Sequence, residues 1–216
     1  MSRINLTIDG RSITAEENET ILQVASRHDI YIPHLCHHPD LDPVGVCRLC
    51  FVDVDSTPVL SCKTKVENGM KVKTTTPEIE AVRRTNIEVI VANHHATCKG
   101  CSAIGKCTLQ KLMGHIHLNK KRVLRLRLPA QKVPLDTTNP YFDYDPNKCV
   151  LCEICLRTCK TIQDALFIVG RGYAARIAFY GDASRCKSCY QCVARCPVGA
   201  LIQKNNIEPR EAVSST

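Results

Sequence analysis

Fifteen of the 216 residues are cysteine, and their spacing is the first feature with chemistry in it. Cys36, Cys47, Cys50 and Cys62 form one set. Cys98, Cys101 and Cys107 form a second. Cys149, Cys152, Cys155 and Cys159 form a third, and Cys186, Cys189, Cys192 and Cys196 a fourth. No cysteine is left over. Disulfides need an oxidising compartment. The amino terminus meets Asp9 too early for the apolar core of an export signal, and an odd number of thiols cannot all pair. The expected compartment is therefore cytoplasmic, and the expected role of the thiols is metal binding.

The third and fourth sets both read C-x2-C-x2-C-x3-C, the fourth followed by Pro197 and the third by Lys160. Three thiolates on one short loop hold three corners of a cubane, and the fourth, displaced along the chain, reaches the neighbouring cluster. Cys149, Cys152, Cys155 and Cys196 are thus expected to hold one [4Fe–4S] cluster. Cys186, Cys189, Cys192 and Cys159 are expected to hold another. Zinc closes a tetrahedron with two pairs of ligands, and the doubled x2-x2-x3 rhythm fits that poorly.

The first set, C-x10-C-x2-C-x11-C, brings one distant and two close thiolates to a loop, with Cys62 returning from a later strand. This suits a [2Fe–2S] cluster, although plant-type ferredoxins have a shorter first gap. Gly45 would let backbone amides approach the sulfurs. A Rieske centre is excluded because the second loop offers two cysteines and no histidine. The second set is one ligand short of a cubane. His94, four residues before Cys98, supplies a donor of the right kind, and His95 competes with it on spacing alone.

In this order, Cys36…Gly45-Val-Cys47-Arg-Leu-Cys50…Cys62, His94-x3-Cys98-x2-Cys101-x5-Cys107 and two four-cysteine runs, the chain resembles one module over residues 1 to about 202. It is similar to the amino-terminal region of the large iron–sulfur subunit of respiratory complex I. The same module precedes the catalytic domain of many [FeFe] hydrogenases and forms the small diaphorase subunit of NAD-linked bidirectional [NiFe] hydrogenases. The resemblance favours His94 over His95. It implies one [2Fe–2S] cluster, one His-ligated [4Fe–4S] cluster and two further [4Fe–4S] clusters. It also implies a chain that joins a flavin-containing, NAD(P)H-binding diaphorase subunit to hydrogenase or other catalytic subunits.

The elements that must position these ligands give an α+β chain. Residues 1–75 read as a β-grasp [2Fe–2S] domain. Ile4, Leu6 and Ile8 alternate as a strand, Gly10 turns, and Ser12-Ile-Thr14 begins the return. Thr20 is an N-cap for a helix that buries Ile21, Leu22, Val24 and Ala25. Phe51–Val54 and Val59-Leu60 are later strands. Residues 76–117 read as a small helical domain for the His-ligated cluster. Thr76-Pro77 opens a helix, Ile79, Val82, Val89 and Ile90 lie close to one face, and His94 comes near its end. A second short helix runs through Leu112. Residues 118–140 form a basic connector, with Lys120-Lys-Arg122 and Arg125-x-Arg127, expected to be kept extended by Pro129, Pro134 and Pro140. Residues 141–202 form a two-[4Fe–4S] ferredoxin-like domain, and 203–216 a polar tail. Gly170-x-Gly172-x-x-Ala175 matches a dinucleotide fingerprint in form only, because 26 residues between Cys159 and Cys186 leave no room for the ~30-residue unit that gives it meaning.

Charge supports the same picture. The formal net charge is +8 with every cysteine neutral. A 2+ core on four thiolates carries −2, and one on three thiolates and an imidazole −1, so a loaded chain sits near +1. The basic excess then offsets buried anionic clusters. No aromatics interleave with it as a nucleic-acid stacking platform requires, and no apolar run of 18 residues exists for a transmembrane segment. No catalytic residue is expected: there is no P-loop, no credible Rossmann turn and no spare cysteine for a hydrogen-activating metal. A row of one-electron centres makes sense between two catalysts, and plant-type [2Fe–2S] potentials near about −400 mV lie in the region of nicotinamide and hydrogen couples. The leading expectation is an electron-transfer subunit of an NAD(P)-linked [NiFe] hydrogenase. The alternatives are the equivalent subunit of an electron-bifurcating hydrogenase or NAD-dependent formate dehydrogenase, and a free polyferredoxin.

Overall fold

A computed structural model describes residues 3–94, 98–128 and 133–204. His95, Pro129 and residues 205–216 of the expected tail lie outside the described residues. The chain divides into two compact units, Met1–Asn93 with Thr108–Leu128, and His94–Cys107 with Pro129–Thr216.

The first unit is built on a five-stranded mixed sheet. Strands β1 (Arg3–Ile8) and β2 (Arg11–Glu16) form a hairpin in the register Leu6 opposite Ile13. The turn sits at Asp9 and Gly10, both with positive φ. Helix α1 (Ile21–Arg27) follows. Thr20 caps it as expected: its hydroxyl accepts from the Gln23 N–H and the Gln23 side chain accepts from the Thr20 N–H. Strands β3 (Phe51–Val54), β4 (Thr57–Leu60) and β5 (Lys71–Lys73) complete the sheet in the order β2-β1-β5-β3-β4, with β1 and β5 parallel and the other pairs antiparallel. This is the β-grasp arrangement. Leu6, Ile8, Ile13, Val52 and Val72 from the sheet pack with Ile21, Leu22, Val24 and Ala25 from α1. Each fully buried aliphatic side chain contributes about 1.5–3 kcal/mol. Cys50 and Cys62 belong to the same apolar cluster, so the core itself holds two of the four thiols of the first set.

Helix α2 (Pro77–Ala92) opens with Thr76 as N-cap and Pro at its first position. Its buried face differs from the expected one. Val82 is 37 % and Val89 44 % exposed, whereas Ile79, Arg83, Ile87, Glu88 and Ala92 are buried. The i, i+4, i+8 row of Ile79, Arg83 and Ile87 is the inward stripe, and a charged residue in its middle hides it from a search for apolar periodicity. Helix α3 (Thr108–His115) buries Leu109 and Leu112.

The connector is not extended throughout. Lys120–Leu126 forms helix α4, capped by the Asn119 side chain on the Arg122 N–H. Two features hold it in place: Val123 is buried, and Arg122 meets the fully buried Glu88 at 3.3 Å. Glu88 also accepts from the Asn119 N–H at 2.8 Å. The prolines that suggested extension all fall after this helix.

In the second unit, β6 (Phe142–Tyr144) pairs with the last strand. Helix α5 (Ile154–Lys160), the hairpin of β7 (Leu166–Val169) and β8 (Arg176–Phe179), and helix α6 (Gln191–Ala194) follow, and β9 (Leu201–Gln203) closes against β6. The glycine-rich segment is the hairpin connection. Gly170 has φ +78°, and a Cβ there would sit 2.4 Å from the Ala174 carbonyl oxygen. A 3-10 turn and a strand follow it, not a helix that could receive a phosphate. Among the described residues no helix is long and apolar enough to cross a membrane.

Candidate metal centres

None of the fifteen cysteines forms a disulfide. In the first unit, Cys36, Cys47, Cys50 and Cys62 are all buried. Cys36 and Cys62 act on their neighbours directly. A hydrogen bond with Cys36 raises the Cys47 thiol, with burial adding to it, and a hydrogen bond from Cys62 lowers Cys50 to about 7. Cys62 is raised in turn, first by that bond and then by burial and the charges of Cys50, Cys36 and Cys47. Four thiols that interact so strongly would repel one another as thiolates, so a multivalent cation core is the natural complement. Cys47 also receives backbone N–H groups from Leu49 and Leu35. Arg48 adopts φ +54° between the two close cysteines, and this left-handed turn makes successive N–H groups converge as they do around anionic groups. Gly45 adopts φ +73°, a left-handed conformation that strains any side chain, and a Cβ there would lie 3.0 Å from Leu60 Cδ1 and 3.3 Å from Lys63 Cδ.

In the second unit, His94 stands two residues beyond the end of α2. Its Nδ1 lies 3.0 Å from the Lys148 carbonyl oxygen. A ring that donates from Nδ1 to a carbonyl presents Nε2 to a metal, the usual orienting device for a ligating imidazole. Cys98 is exposed, and Cys101 and Cys107 are half-buried. The loop carrying them is tied to the last cysteine run: Cys101 Sγ is 4.0 Å from the Val198 carbonyl oxygen, and Ser102 Oγ donates to the Gly199 carbonyl at 3.2 Å.

The remaining eight cysteines line two cavities. One is lined by Cys149, Cys152, Cys155 and Cys196 together with Tyr144, Ile177 and Leu201. The other is lined by Cys159, Cys186, Cys189 and Cys192 together with Gln163, Phe179 and Tyr190. Each cavity therefore combines three thiols of one loop with the last thiol of the other. Burial and the charges of Cys152, Cys149, Cys196 and Cys192 push Cys155 well up. Burial, with Cys159, Cys189 and Cys186, pushes Cys192 up to about 12. The two runs repeat one backbone device, since Glu153 (φ +61°) and Tyr190 (φ +46°) are both left-handed residues opening a short helix. Donors reach the sulfurs: Leu151 N–H to Cys149 at 3.4 Å, Ala165 N–H to Cys159 at 3.4 Å and Ala200 N–H to Cys196 at 3.3 Å. Such bonds suit sulfurs that carry negative charge. The donor set, the apolar walls and the N–H groups fit iron–sulfur clusters. Among the described residues, no three His, Cys, Asp or Glu donors are gathered tightly enough for a single metal ion.

Some residues around the sulfurs escaped the sequence reading. Tyr144 hydrogen-bonds Cys149 and accepts from the Ile177 N–H at 3.1 Å, and burial raises its phenol. Gln163 Nε2 and Asn139 Nδ2 lie 3.5 and 3.8 Å from Cys186 Sγ. Arg83 and Asn86 of α2 reach carbonyls of the first cluster loop.

The chain matches the 2Fe-2S iron–sulfur cluster binding domain over residues 1–77, the NADH-ubiquinone oxidoreductase-G iron–sulfur binding region over 83–122, and the 4Fe-4S dicluster domain over 148–200. It is 35 % identical over 206 residues to the NADPH-Fe(3+) oxidoreductase subunit alpha of Geobacter sulfurreducens, covering 93 % of this chain and 24 % of that protein. The chain thus spans about a quarter of that relative's length. It is 30 % identical over 207 residues to the NAD-reducing hydrogenase HoxS subunit gamma of Cupriavidus necator, covering 93 % of this chain and 87 % of the relative. Its fold superposes on a chain of an NAD+-reducing [NiFe]-hydrogenase crystallised in the H2-reduced state with a TM-score of 0.81 and 30 % identity, covering 96 % of this chain and 90 % of that one. With a 2Fe-2S domain, 4Fe-4S domains and near-complete overlap with the gamma subunit, the chain belongs to the family of iron–sulfur electron-transfer subunits that includes the gamma subunit of the NAD-reducing hydrogenase HoxS.

Proposed function

We propose that this chain is the electron relay of an NAD(P)-linked hydrogenase, carrying one [2Fe–2S] and three [4Fe–4S] clusters. In this reading Cys36, Cys47, Cys50 and Cys62 hold the two-iron cluster, and His94, Cys98, Cys101 and Cys107 hold the first cubane. The other two cubanes sit on Cys149, Cys152, Cys155 and Cys196, and on Cys186, Cys189, Cys192 and Cys159. The single observation that carries the reading is the pair of cavities in the second unit, each lined by three thiols of one run and the fourth of the other.

Each cluster, when bound, takes and gives one electron at a time. The residues of the chain do the rest. Thiolates and one imidazole fix the centres, backbone N–H groups and the Tyr144 hydroxyl stabilise charge on the sulfurs, and apolar walls exclude water. The partners are a flavin-containing, NAD(P)H-binding diaphorase subunit, which splits hydride into single electrons, and the hydrogenase subunits. The Cys36, Cys47, Cys50 and Cys62 site would exchange electrons with the diaphorase, and the eight thiols of the second unit would hold the centres nearer the hydrogenase. Fifteen thiols without a disulfide suit the reducing cytoplasm. The test is substitution of Cys47 by serine in the assembled complex, with hydrogen-dependent NAD reduction as readout. A collapse of turnover is expected, and unchanged turnover removes the two-iron site from the path. Co-purification of a flavoprotein with a nickel-containing pair distinguishes this assembly from a formate dehydrogenase.

A further inference from the structure

Arg83 is 5 % exposed, in the middle of the inward stripe of α2. A buried guanidinium is costly unless its donors and charge are matched. Its donors go to the loop of the first cysteine set: Nε donates to the Leu49 carbonyl at 3.0 Å, and Nη2 donates to the Phe51 carbonyl. These two carbonyls bracket Cys50. One turn further along the same helix, Asn86 Nδ2 donates to the Arg48 carbonyl at 2.8 Å. Helix α2 thus clamps three carbonyls of the cluster loop.

We propose that Arg83 is the built-in counter-cation of the two-iron site, and that its fixed charge beside Cys50 raises the reduction potential of the cluster held there. One-electron reduction adds a negative charge to an already anionic group, and a cation fixed in a low-dielectric setting favours that form. Burial lowers the proton affinity of Arg83 most, and the charge of Cys50 leads those that offset it, ahead of Glu80, Tyr31 and Asp9. Arginine suits the task because it keeps its proton when buried and its planar fork spans two carbonyls. The inference rests on the proposed assignment of Cys36, Cys47, Cys50 and Cys62 to a [2Fe–2S] cluster.

The experiment is an anaerobic dithionite titration of the full chain, followed by the electron paramagnetic resonance signal of the reduced two-iron centre. The variants are Arg83→Gln, Arg83→Lys and Asn86→Lys. Arg83→Gln is expected to lower the midpoint potential by at least a tenfold change in the reduction equilibrium, about 59 mV for one electron. Arg83→Lys keeps the charge and is expected to stay above Arg83→Gln. Asn86→Lys adds a cation on the same helix face and is expected to raise the potential. An unshifted Arg83→Gln with its cluster present overturns the proposal. Where the glutamine variant holds no cluster, Asn86→Lys decides: a rise supports the counter-cation, and an unchanged potential overturns it. Absence of any two-iron signal in the reduced native protein overturns the cluster assignment instead, so the two failures are distinguishable.

Discussion

The Nδ1 atom of His94 hydrogen-bonds the carbonyl of Lys148, the residue immediately before Cys149. The imidazole proposed as a ligand of the His-containing set is therefore oriented by the backbone that starts the next cysteine run. His94→Ala is expected to remove this cluster alone, with the iron content falling by about four atoms per chain. His94→Cys is expected to retain the cluster at a lower potential, because thiolate brings a negative charge that imidazole lacks. Iron assay and a potentiometric titration of the two variants check both outcomes.

The crossed lining of the two cavities makes a sharper prediction about single thiols. Cys196→Ala is expected to perturb the cluster on the Cys149, Cys152 and Cys155 loop and spare its neighbour. Cys159→Ala is expected to do the reverse. Mössbauer or paramagnetic resonance spectra of the two variants should therefore lose different cubane signals. Loss of the same signal from both contradicts the crossed assignment.

Gly199 is the point where the His-cluster loop and the last cysteine run press together. It has φ +68°, and a Cβ would sit 2.7 Å from Ser102 Oγ and 2.8 Å from the Ala103 Cβ. Gly199→Ala is expected to cost about 2–4 kcal/mol, from the left-handed backbone and from overpacking. Its visible absorbance should bleach at a lower temperature than that of the native protein. Gly105, also at positive φ but with open space around its Cβ position, is the control, and alanine there should cost only the backbone part.

How much of this was legible beforehand depends on the kind of residue. The fifteen thiol positions could be proposed from sequence because cluster chemistry fixes thiol spacing along the chain, whereas the choice of His94 over His95 came only from the resemblance. The β-grasp hairpin and the Thr20 cap were legible because alternation and capping are local. Arg83, Asn139 and Gln163 were not, because each acts on a residue 34, 47 or 23 positions away through a tertiary contact. Helix α4 was missed because Lys120-Lys-Arg122 reads as a solvated run, and its anchor on Glu88 exists only once α2 has folded. The same buried charges made the apolar face of α2 read wrongly at Val82 and Val89.

The most direct test of the account is the stoichiometry of iron and acid-labile sulfide in the anaerobically purified, fully loaded chain. Four clusters on these ligands predict about 14 iron atoms and an equal amount of sulfide per chain. Zinc in place of iron, with no acid-labile sulfide, would contradict the account.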